Sequence, residues 1–197
     1  MYCKKGAFMV FGFGYGDSFG KIENGINAAI RNWDIAIINA DGIKPDWRDA
    51  VKAANRLKKE FERLARFAKV HFLLLSEFFI HINQDEIRFG VHSDTVTETN
   101  IIDAELLNKL KFLWKHVEQM ASEIDPNKLS PTEINDSILV YNEDIKPVFG
   151  EITKLVGEEE SDLHTLFGQF KNNPSREARI LVRDVEAAER ELQKIIT

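Results

Sequence analysis

Cysteine is nearly absent. Cys3 is the only one in 197 residues, so neither an internal disulfide nor a cysteine-based zinc site can form within the chain. That usage suits a reducing compartment, and the expected location is cytoplasmic, with peripheral membrane association as an extension of it. An excess of positive charge is also lacking. Lys and Arg number 26 against 32 Asp and Glu, a net charge of −6, which removes any whole-chain electrostatic case for nucleic acid. No apolar run is long enough to cross a bilayer. The most apolar stretch is 71–82, far short of the ~20 residues needed, and Glu77 interrupts it; a buried core helix is expected there. The start imitates a secretion leader, but Gly6, Gly12 and Gly14 break the apolar region and no small-x-small cleavage site precedes Asp17.

Chemical motifs are missing as well. A phosphate-binding loop needs G-x-x-x-x-G-K-[ST]; before Gly20-Lys21 stands Tyr15 in place of the first glycine, and after it Ile22 in place of the hydroxyl. Neither Gly12-x-Gly14 nor Gly14-x-Gly16 continues into the dinucleotide fingerprint. The five histidines, His71, His81, His92, His116 and His164, form no H-E-x-x-H and no di-iron Glu-x-x-His pair. Glu77 and His81 share a helix face but lack third and fourth ligands. No nucleophile elbow accompanies Cys3 or any serine. No catalytic residue, metal or cofactor is therefore assigned, and the chain is read as a non-enzyme.

What remains is helical patterning. Apolar residues make up 44% of the chain, enough for one globular core. The spacing of Ile22, Ile26, Ala29, Ile30, Trp33 and Ile37 predicts a helix from Asp17 or Ser18 to about Asn39. A second helix is predicted over 46–83, about 57 Å long at 1.5 Å per residue, unless it breaks near Lys69–His71. It carries a heptad seam through Ala50, Ala54, Leu57, Phe61, Leu64, Ala68, His71, Leu75, Phe78 and Ile82. Leu57, Phe61, Leu64 and His71 are the candidate helix-interface residues of this seam, which either packs internally or meets a partner helix. Residues 84–100 read as a connection, with a short hairpin near 87–97. A third helix is expected over 101–124, capped by Asn100 with Asp103. Ser130-Pro131-Thr132-Glu133 signals a fourth helix reaching Val156, with Pro147 kinking or breaking it. A short helix over Ser161–Phe170 and an amphipathic helix over 175–196 complete the chain. The fold class is mainly α: a single domain over 1–197, an elongated bundle of five to six helices, with a glycine–aromatic segment at 6–20.

Charge is unevenly divided. Residues 1–69 carry 13 Lys/Arg and 8 Asp/Glu, whereas 70–197 carry 13 and 24. The basic excess concentrates on the second helix, where Arg48, Lys52, Arg56, Lys59 and Arg63 are candidate contacts to an acidic partner or an anionic membrane. The competing reading is a solvated face packed near the acidic half of the same chain. Phe11, Phe13, Tyr15 and Phe19 are the matching candidates in the N-terminal segment, against a plain role as core aromatics.

The stretch Met9-Val10-Phe11-Gly12-Phe13-Gly14-Tyr15-Gly16-Asp17-Ser18-Phe19 resembles an opening shared by N-terminal helical domains of fungal NLR-like receptors and HeLo-type proteins. The resemblance extends through the helix at 19–39 and the long helix after it, over residues 9–65. It implies an all-α signalling domain of the heterokaryon-incompatibility or innate-immunity kind, linked to programmed cell death and able to act at membranes. It also implies a natural start at Met9. The partners expected are a protein or a second copy, with an anionic membrane surface beside them. The alternatives are an oligomerising structural helical protein and, behind it, a phosphate or nucleotide binder using Gly14–Lys21.

Overall fold

A computed structural model describes residues 15–42, 46–89, 93–152, 154–155, 171–172 and 176–196. Among them every element is helical: α1 (Tyr15–Ala40), α2 (Arg48–Phe89), α3 (Ser93–Glu123), α4 (Pro131–Val140) and α5 (Arg176–Ile196). The mainly α bundle expected from periodicity is thus the observed architecture. α2 runs unbroken through Lys69–His71 for 42 residues, about 63 Å.

Several starts and stops follow local chemistry. Asp46 caps α2 by accepting the Arg48 amide at 3.0 Å. Ser130 caps α4, its hydroxyl accepting the Glu133 amide at 3.4 Å, with Pro131 in the first turn where no amide partner is needed. Asp125-Pro126 ends α3 in a turn, with the Asn127 amide on Asp125 Oδ1 at 2.9 Å. α1 starts at Tyr15, slightly before the Asp17 or Ser18 expected.

The hairpin near 87–97 is not formed. Residues 87–89 extend α2 and 93–97 open α3, so Asn100 and Asp103 lie inside a helix and do not cap it. Each strand-like run was only three to five residues long. Such runs do not outweigh continuation of a helix already nucleated on both sides. Pro147 does not break its helix either. After α4 the backbone widens into a π turn, Tyr141–Ile145, in which the Lys146 amide donates to the Tyr141 carbonyl, and helix resumes over 146–152. A proline removes one amide and crowds the carbonyl four residues back. The π turn immediately before it supplies the extra room. Val156, the expected end of the fourth helix, and the helix expected over 161–170 lie outside the described residues.

The core is one continuous apolar cluster. α1 contributes Ile22, Ile26 and Trp33; α3 contributes Leu110, Leu113 and Val117; Tyr141, Ile145 and Phe149 come from the π turn and the helix after it. α2 runs between α1 and α3. α4 and the helix that follows the π turn close the ring: Trp33 Nε1 donates to Asn135 Oδ1 of α4 at 2.8 Å, while beyond the π turn Lys146 pairs with Glu23 at 3.0 Å and Glu151 with Lys109 of α3 at 2.7 Å. The order around the bundle is therefore α1, α2, α3, α4, and back to α1. α5 lies antiparallel along α2, with Leu181, Val185 and Leu192 buried.

Two ionisable groups, one buried and one half-buried, make opposing contributions to the pH dependence. His71 is buried edge-on against Phe67, ring centroids 4.5 Å apart, and loss of water pushes its pKa down to about 3. Glu189 stands on the apolar side of α5 between Val185 and Leu192, and burial pushes it up to about 7. The signs oppose. Between pH 6.5 and 3 the unfolded chain binds a proton that folded His71 refuses, so this contribution weakens the fold as pH falls. Between pH 7 and 4.5 folded Glu189 holds a proton that the unfolded chain has lost, so its contribution strengthens as pH falls. Urea melts at pH 7.5, 5.5 and 4 should show His71→Leu gaining on the wild type as pH drops, by up to ~1.4 kcal/mol per unit at full slope. A pH-independent difference would show that His71 is not held neutral.

Candidate functional site

The basic stretch of α2 faces several ways, and most of it is engaged within the chain. Lys58 donates to the Ile124 carbonyl just beyond the end of α3, at 3.0 Å. Arg63, half-buried, forks onto the Ile195 and Ile196 carbonyls of α5 at 2.5 and 2.7 Å and also pairs with Glu60 at 3.3 Å. Both place a cation on carbonyls at a helix C-terminus, where the backbone carries partial negative charge. Arg66 pairs with Glu191 at 2.5 Å, and Lys69 sits over the Trp114 ring at 5.0 Å. The reading in which basic residues pack beside the acidic half of the chain holds for these positions. Arg63 consequently leaves the set of candidate contacts: its guanidinium is spent inside the fold.

The other candidates stay at the surface. Arg48 pairs with Asp46 at 2.6 Å and holds that carboxyl down at about 2. Lys52 pairs with Asp49 at 2.9 Å. Such exposed pairs contribute little to stability and are easily exchanged for another anion. Arg56 and Lys59 are exposed and have no ion pair or hydrogen bond among the described residues.

Beside these cations lies apolar surface that the sequence reading missed. Ile35 is 58% exposed, Ile38 73% and Trp47 40%. Ile35 and Asn39 of α1 line a shallow groove of about 260 Å³ together with Lys52, Ala53 and Arg56 of α2. A signal for it existed. Ile35-Ala36-Ile37-Ile38 are four consecutive apolar residues, which span roughly 300° of a helix. A helix on the outside of a bundle cannot bury that whole arc. Ala36 is buried and Ile37 packs against the core, so Ile35 and Ile38 remain outside.

The seam residues have the opposite fate. Leu57, Phe61, Leu64 and His71 are all buried among the chain's own helices. The heptad pattern from Ala50 to Leu75 is satisfied internally by α1, α3 and α5, so it offers no seam to a partner helix over that stretch. Phe11 and Phe13 lie outside the described residues. Tyr15 and Phe19 fall in the first turns of α1, with side chains outside the described set.

Nothing in the described residues adds chemistry to this surface. They hold no group of three or more His, Cys, Asp or Glu side chains able to bind a metal, and no helix long and apolar enough to cross a membrane. Residues 15–21 are helical, so no phosphate loop forms over them. No family model, curated protein or solved structure matches the chain.

Proposed function

We propose that this chain is a non-enzymatic interaction module of the signalling kind, which docks an acidic protein surface through the outer face of α1 and α2. One observation carries the reading: exposed Ile35 lines a groove with Arg56, and exposed Ile38 and Lys59 lie one turn further along α1 and α2, the two cations being without partners among the described residues. Apolar surface gives affinity on burial, and flanking charge steers the encounter and sets its partner. The resemblance of residues 9–65 to HeLo-type and NLR-like N-terminal domains supports the signalling part, in a cytoplasmic setting. A membrane role for the same face draws on fewer cations than the sequence suggested, because Lys58, Arg63, Arg66 and Lys69 are engaged elsewhere.

The test uses a labelled helical peptide with leucine on one face and glutamate on the other, read by anisotropy. The full chain should bind it, more weakly as salt rises. Arg56→Glu with Lys59→Glu, and separately Ile35→Ser with Ile38→Ser, should each weaken binding at least about tenfold. Equal binding by wild type and both variants overturns the reading. Preference for phosphatidylserine vesicles over the peptide overturns it in favour of a lipid surface.

A further inference from the structure

The ring order of the bundle puts the α3–α4 groove on the side opposite the α1–α2 groove, and the two are complementary. Glu123 of α3 and Glu133 and Asp136 of α4 line the α3–α4 groove, about 440 Å³, with Met120 and Val140 between them. Leu139, one residue from Val140, is 53% exposed, as Ile38 is beside the opposite groove. Each face thus presents a lining aliphatic residue, a more exposed aliphatic neighbour and charges of one dominant sign: Lys52 and Arg56 outnumber Asp49 in the first groove, with Lys59 one turn on along α2, and Glu123, Glu133 and Asp136 line the second. The imbalance between residues 1–69 and 70–197 is the sequence-level trace of this division.

We infer that the acidic partner of the α1–α2 face is the α3–α4 face of a second copy of this chain. This rests on the docking role proposed above and names its partner. Because the two faces differ and point in opposite directions, the contact is heterologous. Each copy added leaves one cationic and one anionic face free, so assembly proceeds head to tail and is not limited to a dimer. The heptad seam takes no part, being buried within each copy.

Sedimentation velocity of the full chain over a concentration series, at low and high salt, tests the inference. The wild type should show a weight-average mass rising beyond a dimer at low salt and falling toward the monomer as salt screens the contact. Variant one, Arg56→Glu with Lys59→Glu, loses the cationic face. Variant two, Glu133→Lys with Asp136→Lys, loses the anionic face. Each alone should associate at least about tenfold more weakly, since like charges then meet across the contact. Mixed in equal amounts, the two should associate well beyond either alone, because each keeps the face the other needs and the two reversed faces are again opposite in charge. Circular dichroism melts confirm that both variants are folded. A wild type that stays monomeric while still binding the acidic peptide overturns the second-copy partner and leaves the docking face standing. Failure of both overturns the two together. A mixture no more associated than its components overturns the head-to-tail geometry.

Discussion

Truncating Phe61 to alanine is expected to cost about 3–5 kcal/mol and to lower the melting temperature by roughly 6–20 °C, without changing how the folded chain self-associates. Phe61 is fully buried on the central helix, and its ring meets Tyr141 from the π turn, centroids 5.6 Å apart, while Tyr141 meets Phe149 at 6.2 Å. Removing the ring leaves a cavity bounded by a 42-residue helix and the π turn, neither of which can collapse inward freely. Tyr141→Phe should move the other way, by about 1 kcal/mol. The Tyr141 hydroxyl is buried without a hydrogen-bond partner among the described residues, and burial raises its pKa above the ordinary range, so it is carried as a cost. Thermal melts with sedimentation velocity read both variants. A Phe61→Ala protein with an unchanged melt but lost self-association would return the heptad seam to an intermolecular role.

That outcome bears on what periodicity can tell. The steps of four and three from Ala50 to Leu75 marked a buried stripe correctly, because burial is what selects the pattern. They did not reveal which chain covers the stripe, since a helix of the same chain and one of another satisfy the same spacing. Caps read well for a related reason: Asp46 and Ser130 bond amides two and three residues away, an arrangement fixed by local sequence. Residues 87–97 read badly because their alternation is short and their helical state depends on what flanks them. The candidate surface was half legible. Its cations were visible as a run, but nothing local to Arg63 or Lys58 announced carbonyls contributed by residues 132 and 66 positions away. Its apolar half was written in Ile35-Ala36-Ile37-Ile38, and becomes evident once the arc is counted against what a core can take.

Replacing Arg63 by methionine is expected to loosen α5 selectively, by about 2 kcal/mol, which would speed exchange of its backbone amides roughly 30-fold while those of α1 and α3 keep their protection. The chain of contacts starts at Gly25. A side chain there would place its Cβ 2.6 Å from Glu60 Oε2, so the missing Cβ leaves that carboxylate room in the position from which it meets Arg63. Glu60 in turn orients Arg63 at 3.3 Å, and the guanidinium donates to the two carbonyls that end α5. Methionine keeps much of the aliphatic stem and removes all three contacts. It also leaves Glu60 facing a helix C-terminus of its own sign. Arg63→Lys separates charge from geometry: it restores the cation without the fork and should recover only part of the protection. Hydrogen exchange resolved along the chain distinguishes this from general destabilisation, which would raise exchange in every helix together. Because Arg63 works inward on α5, the same variant should leave head-to-tail association through Arg56 and Lys59 intact. Loss of that association in Arg63→Met, with α5 protection unchanged, would mean that Arg63 belongs to the docking face after all.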